Sequence, residues 1–185
     1  MLPPRPPPPP GPTPHPGALW GTTWRSIPPG IARHLGAGGA ALDVGCGSGL
    51  ACLALAEALP AARVMGQDPD PGAITRARRL ARAARLHTRV SFAVADSTRL
   101  PRATYHLVTV QDLRLRAAQP LRILNAIRNA LTPEGICLLL ETVGGDDLGA
   151  SDGLPALAGL TSRAGFSRFR ALTHEEGAHL FELRR

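Results

Sequence analysis

The chain has 185 residues, 44% of them hydrophobic and 4% aromatic, which fits one domain with an aliphatic core plus a tail. No apolar run reaches the length of a membrane span, so a soluble, cytoplasmic body without membrane attachment is expected. The net charge is +7, and all 21 basic side chains are arginine. Such a balance arises either as an electrostatic footprint for RNA or another polyanion, or as part of a composition rich in Arg, Ala, Pro and Gly together. The arginines run along the whole chain without aromatic partners, so the compositional explanation is preferred and RNA stays a second partner class.

Residues 1–17 are dominated by proline, including the run Pro6 to Pro10, and are expected to form a disordered or polyproline-II-like tail. They lack the apolar stretch of a secretory leader. Docking of this tail onto an SH3- or WW-type domain is the less economical reading. The folded domain is expected over residues 18–185. It opens on a transitional segment, Ala18 to Gly30, in which Trp20, Trp24 and Ile27 pack against the body or cap a site.

From Ile31 the pattern alternates. A short helix to Leu35 precedes a strand over Ala40 to Val44, a glycine turn and a helix over Leu50 to Leu59 that Pro60 stops. Arg63 to Asp68 reads as a second strand. Asp70 then caps a helix with Pro71 in its first turn, running to about Arg85, with Ile74, Ala77, Leu80, Ala81 and Ala84 on one face and Arg78, Arg82 and Arg85 on the other. Val90 to Asp96 and Tyr105 to Val110 read as the third and fourth strands. Pro120 opens a helix with Leu121, Leu124, Ile127 and Leu131 inward, and a Thr132-Pro133-Glu134-Gly135 turn leads into a strand over Ile136 to Leu140. A last helix over Leu157 to Ala164 precedes two strands, Phe166 to Leu172 and Ala178 to Arg184. The expectation is an α/β fold: a doubly wound, Rossmann-like, mostly parallel sheet with an antiparallel C-terminal hairpin, in three α/β/α layers.

The chemistry concentrates at strand ends. Asp43-Val44-Gly45-Cys46-Gly47-Ser48-Gly49 ends a buried strand in a turn with glycines on alternate positions, backed by a helix N-terminus. Asp43, Asp68 and Asp96 each close a strand, and in such a sheet the strand C-termini converge on one crevice. Asp68 lies about 20 residues past the turn, where an acceptor-only carboxylate suits the two hydroxyls of a ribose. A dinucleotide fingerprint would want glycine at the sixth place of the turn, which is Leu50 here, so a dehydrogenase is set aside.

These segments resemble the class I S-adenosylmethionine-dependent methyltransferases. Leu42 to Gly49 is similar to the family's first motif, Gly66-Gln67-Asp68-Pro69-Asp70 to its second and Val94-Ala95-Asp96-Ser97 to its third. His106 to Val110 and Leu131 to Gly135 look like the fourth and fifth landmarks. The resemblance implies S-adenosylmethionine as cofactor, held by Asp43, Gly45, Cys46, Gly47, Gly49, Asp68, Pro69, Asp96, Ser97 and Gln111. It gives Asp68 the ribose and Asp96 the adenine amino group. A bacterial-type subgroup with an N-terminal winged helix is the nearest pattern, matched by Ala164 to Arg170 and Phe181 to Arg184. This chain departs from it in three ways: a proline tail in place of the winged helix, a short Gly- and Asp-rich stretch between Glu141 and Ala164, and Leu115-Arg116 where relatives carry a His-Asp pair.

The expected activity is methyl transfer to a small-molecule acceptor. An RNA-directed enzyme and a non-catalytic cofactor-binding module are the alternatives. Alignment of the acceptor with the methyl carbon can supply most of the acceleration, so no base is assigned. Asp112 is read either as a group near the methyl or as a solvated loop acid, and Glu141 as a strand-end residue. His106 is read as structural, and His174 and His179 as surface residues beside the hairpin loop. Cys46, Cys52 and Cys137 show no metal-ligand spacing and are expected as reduced thiols, Cys46 being small beside a ligand rather than a nucleophile. No metal site is expected, and the oligomeric state is left open.

Overall fold

The computed structural model describes residues 26–113, 117–142, 153–175 and 178–185. The tail, Trp20, Trp24, Leu115-Arg116 and the Gly- and Asp-rich stretch over 143–152 lie outside the described residues. The elements in chain order are α1 (Pro29–Gly36), β1 (Ala40–Val44), α2 (Leu50–Ala58), β2 (Arg63–Asp68), α3 (Pro71–Ala83), β3 (Val90–Val94) and β4 (Tyr105–Gln111). They continue with α4 (Pro120–Ala130), β5 (Leu131–Thr142), α5 (Gly153–Arg163), β6 (Arg168–Glu175) and β7 (Ala178–Arg184).

One seven-stranded sheet has the order β3-β2-β1-β4-β5-β7-β6. β3, β2, β1, β4 and β5 are parallel, and β7 runs antiparallel between β5 and β6. The central strands read as continuous apolar runs because both faces are covered. Ile31 and Leu35 of α1, Cys52 and Leu55 of α2, and Ile74 and Ala77 of α3 share one buried cluster with Ala41, Val64 and Leu107. Leu124 and Ile127 of α4 and Leu157 of α5 share a second with Leu42, Val108, Leu139 and Phe181. Successive strand residues alternate between these clusters, which is the period of two expected of a sheet between helix layers.

Local signals set the helix starts. Asp70 accepts from the Gly72 N–H at 2.7 Å, and Pro71 occupies the first helical position where no N–H is needed. The reversal of strand order beside β1 opens a crevice at the C-terminal ends of β1 and β4.

Several boundaries differ from the sequence reading. β3 ends at Val94, so Asp96 lies just past the strand rather than closing it. β6 runs Arg168–Glu175 rather than Phe166 to Leu172, and the largest change is at β5. Leu131 does not continue the α4 face. It caps the helix with extended backbone and begins β5, because Thr132 precedes Pro133 and is disfavoured in the helical region. The Thr-Pro-Glu-Gly segment is then an irregularity inside β5 rather than a turn before it: Tyr105 pairs with Leu131, whereas Leu107 pairs with Ile136. Gly135 permits this, since a Cβ there would lie 2.8 Å from the Tyr105 carbonyl oxygen. The last helix also starts earlier than read, at Gly153.

Candidate functional site

β1 ends at Val44 and the chain turns through Gly45, Gly47 and Gly49, whose φ values of 71°, 53° and 80° lie in the left-handed region open to glycine. The Gly45 and Cys46 N–H groups donate to the Gln67 carbonyl, fastening the turn to β2. The Gly47 N–H donates to Asp68 Oδ2 at 2.9 Å. Asp68 Oδ1 accepts from the Asp70 N–H at 2.9 Å. The half-buried Asp68 carboxylate is therefore fixed by two backbone donors, one from the turn and one from the start of α3.

A cavity of about 460 Å³ opens at this edge. Gly45, Asp68, Pro69, Asp96, Ser97 and Gln111 line it, so the structure brings these six expected site residues together. A Cβ on Gly45 would meet no atom within 4 Å and would project into free space at the cavity wall. Asp96 accepts from the Thr98 N–H at 2.9 Å, and that bond, with the Thr98 hydroxyl, holds its carboxyl below the usual range. The apolar wall comes from Leu113 and Ile123, and Gln119 adds a carboxamide. These residues around the α4 start carry no motif and escaped the sequence reading. Their signal is only that they flank the loop after β4.

Asp43, Cys46 and Gly49 are buried beneath the turn, whereas Gly47, like Gly45, would carry a Cβ into open space. Asp43 is buried, accepting from the Thr109 hydroxyl at 2.7 Å and from the Cys52 thiol at 3.6 Å. Burial pushes its carboxyl up to about 6, against the lowering effect of those two bonds and with a further rise from the Asp68 charge. Gly49 is packed under Phe92, to which a Cβ would approach within 2.6 Å, and Cys46 Sγ lies 2.8 Å from where a Gly66 Cβ would be. All three cysteines are buried free thiols.

The reading of Asp112 as a solvated loop acid is corrected. It is 4% exposed, adopts φ 50°, and accepts from both the N–H and the hydroxyl of Thr142 at 2.8 and 2.7 Å, and from Gln111 Nε2 at 3.2 Å. The β5 end thus holds the β4 end in a left-handed conformation that Asp tolerates better than most residues. His106 sits within β4 with its ring stacked on His34 at 5.0 Å, and burial followed by His34 lowers its pKa. His179 stacks on Phe181 at 6.2 Å.

A doubly wound sheet with a glycine turn and strand-end carboxylates on one cavity defines an α/β protein built for a nucleotide-type cofactor. A family model described as a methyltransferase domain matches residues 41–135. The ribosomal protein L11 methyltransferase of Ralstonia pickettii is 33% identical over 132 residues, covering 69% of this chain and 41% of that protein. The chain therefore spans about two fifths of the length of that relative. An S-adenosylmethionine-dependent methyltransferase from Aquifex aeolicus superposes with a TM-score of 0.68 at 16% identity, covering 79% of this chain and 81% of its own. The mitomycin 7-O-methyltransferase gives 0.68 at 20% identity, covering 91% and 57%.

The chain belongs to the methyltransferase-domain family, and S-adenosylmethionine is the cofactor that the family and its structural neighbours indicate. The residues present fit that group. Asp68 offers acceptors to a diol, and the Gly45 position leaves room for close approach.

Proposed function

We propose that this protein transfers a methyl group from S-adenosylmethionine to a small-molecule acceptor. The observation that carries the reading is the Asp68 carboxylate, pinned by the Gly47 and Asp70 N–H groups on the wall of a cavity sized for one small ligand. Asp68 would take the ribose hydroxyls, Asp96 and Ser97 the adenine edge, and the Gly45 to Gly49 turn the backbone side of the cofactor. When bound, the cofactor supplies an electrophilic methyl carbon on a sulfonium. The protein's task is to orient the acceptor and exclude water, and Leu113 and Ile123 supply an apolar wall for both. The relatives' printed names cover a ribosomal protein and a small natural product, so they support methyl transfer to either acceptor class, and the label decides between them.

The test is calorimetric titration with S-adenosylmethionine, followed by incubation with methyl-labelled cofactor and size-fractionated cell extract. Saturable binding with label appearing in the low-mass fraction is expected. Label confined to protein or RNA fractions would overturn the acceptor class. Binding without label in any fraction would leave a cofactor-binding module.

A further inference from the structure

The charge of this chain is concentrated in one place. Of the 21 arginines, six (Arg76, Arg78, Arg79, Arg82, Arg85 and Arg89) fall within residues 71–95, a stretch without a single Asp or Glu. The other fifteen stand against all 14 acids. The near-even spread read from the sequence therefore conceals a cluster, and the structure sets it on α3 and the turn that follows.

Ile74, Ala77 and Ala81 seat α3 on the sheet, which turns its arginines outward. Three are already engaged: Arg76 pairs with Asp70 at 3.6 Å, Arg78 donates to the Phe92 carbonyl, and Arg89 donates to the carbonyls of Ala56 and Pro60. Arg79, Arg82 and Arg85 are exposed, and no described residue pairs with them. A cation in the last turn of a helix suits its dipole, which accounts for Arg82. It does not account for Arg79. Like charges one turn apart weaken a helix, a cost that bound phosphates would reverse.

We infer that the outward face of α3 docks duplex RNA through its phosphate backbone, with Arg79, Arg82 and Arg85 as the contacts. The chemistry of the face selects the partner. A protein interface usually has an apolar or aromatic centre, and an amphipathic helix lying in a membrane inserts apolar side chains, neither of which this face offers. Among the described residues Val94 is the one large hydrophobic side chain left exposed. It lies at the end of β3, away from Arg82 and Arg85. Of the polyanions that electrostatics alone can hold, nucleic acid carries the densest row of phosphates, against about 1 kcal/mol per arginine at an anionic membrane surface. Among the described residues no Phe, Tyr or Trp is exposed as a platform for unstacked bases, which favours a duplex. Because α3 lies flush on the sheet, it suits the wide, shallow minor groove of an A-form helix better than the deep major groove of DNA. The face belongs to the layer of α1 and α2, whereas the cavity wall includes Gln119 and Ile123 beside α4. The docking face is therefore separate from the cavity, and the inference does not rest on the methyl-transfer reading.

The experiment titrates the full chain into a fluorescent 20-base-pair RNA duplex of arbitrary sequence at several salt concentrations. Affinity should fall steeply with salt. The triple variant Arg79→Gln/Arg82→Gln/Arg85→Gln should bind at least tenfold more weakly at low salt, with its log–log salt slope shallower by about one per arginine. A second triple variant, Arg33→Gln/Arg163→Gln/Arg168→Gln, removes the same charge from α1, α5 and β6 and should retain most of the affinity. Equal losses in both variants would overturn the assignment to α3, and equal or tighter binding to duplex DNA would overturn the choice of RNA. Circular dichroism and S-adenosylmethionine titration of each variant show whether folding and the cofactor site are intact, so failure of the docking surface and failure of the cofactor site are read separately.

Discussion

The Gly47 N–H points at Asp68 Oδ2 across 21 residues of chain, at 2.9 Å, and so joins the glycine turn to the strand-end acid as one rigid unit. Asp68 Oδ1 is held in the same way by the Asp70 N–H. Each oxygen keeps a further lone pair for a ligand hydroxyl. The carboxylate therefore orders the turn and presents acceptors to the cavity at once.

Asp68→Ala removes both functions, and Asp68→Asn sets an amide against one of the two N–H groups. Either variant should weaken S-adenosylmethionine binding by roughly ten- to a hundredfold, the worth of a hydrogen bond to a charged group. Calorimetry checks this, and unchanged affinity in both would remove Asp68 from the cofactor site.

Much of this was legible in the sequence for a physical reason. Backbone requirements write themselves locally: alternate glycines for left-handed turns, Asp70-Pro71 for a helix start, apolar runs for strands covered on both faces. β1, β2 and β7 match their sequence limits residue for residue. Three-dimensional partners were not legible. Nothing near Asp43 announces Thr109, 66 residues on, and nothing near Asp112 announces Thr142, so the sequence alone leaves Asp43 as a site carboxylate and Asp112 as either a group near the methyl or a solvated acid. The segment before Ile136 was misread because Pro133 and Gly135 signal a turn, while Gly135 serves instead to let β5 pass close to Tyr105.

Asp43 makes stability depend on pH in an unusual direction. Its folded pKa is raised from 3.8 to about 6, so the folded state holds this proton more tightly than the unfolded chain does. The resulting stabilisation is complete below about pH 4 and is lost as pH rises through about 6, a change of ~3 kcal/mol for this group. Asp43→Asn keeps a carbonyl for the Thr109 hydroxyl and cannot ionise. Urea unfolding at pH 5 and pH 7.5 should show the part of this loss that falls between them, about 1.4 kcal/mol, in the natural protein and a much smaller one in the variant. Parallel pH dependence in the two would rule out Asp43 as the source.

Glu182 acts in the opposite sense. Burial raises its carboxyl, but Arg184 at 2.9 Å and Arg170 at 3.3 Å outweigh that and hold it below its usual value. Its contribution is present above the unfolded pKa and is lost as pH falls through the lower, folded one. Glu182→Ala leaves two guanidiniums facing an empty site between β6 and β7. A loss of about 1–3 kcal/mol is expected, with less dependence on acid pH. Chemical denaturation at pH 7 and pH 4 measures both, and a variant as stable as the natural protein at pH 7 would contradict this role.

Gly49 and Gly66 both press on Phe92, yet they should respond differently to relief of that contact. A Cβ at either position would lie 2.6 Å from the Phe92 ring, and at Gly66 also 2.8 Å from Cys46 Sγ. Gly49 additionally holds φ at 80°, where a Cβ costs about 1–2 kcal/mol whatever the surrounding space. Gly66→Ala alone and Gly49→Ala alone should each destabilise by about 1–3 kcal/mol through overpacking. Adding Phe92→Leu opens space beside both glycines, so the Gly66→Ala double variant should recover, relative to Phe92→Leu alone, the part of its loss that the ring causes, the Cys46 contact remaining. The Gly49→Ala double variant should stay destabilised by the backbone term and bind S-adenosylmethionine more weakly, because its strain lies in the turn itself. Thermal melts of the five variants with and without cofactor decide it: equal recovery at both positions would mean that packing against Phe92, and not the left-handed turn, is what requires glycine at position 49.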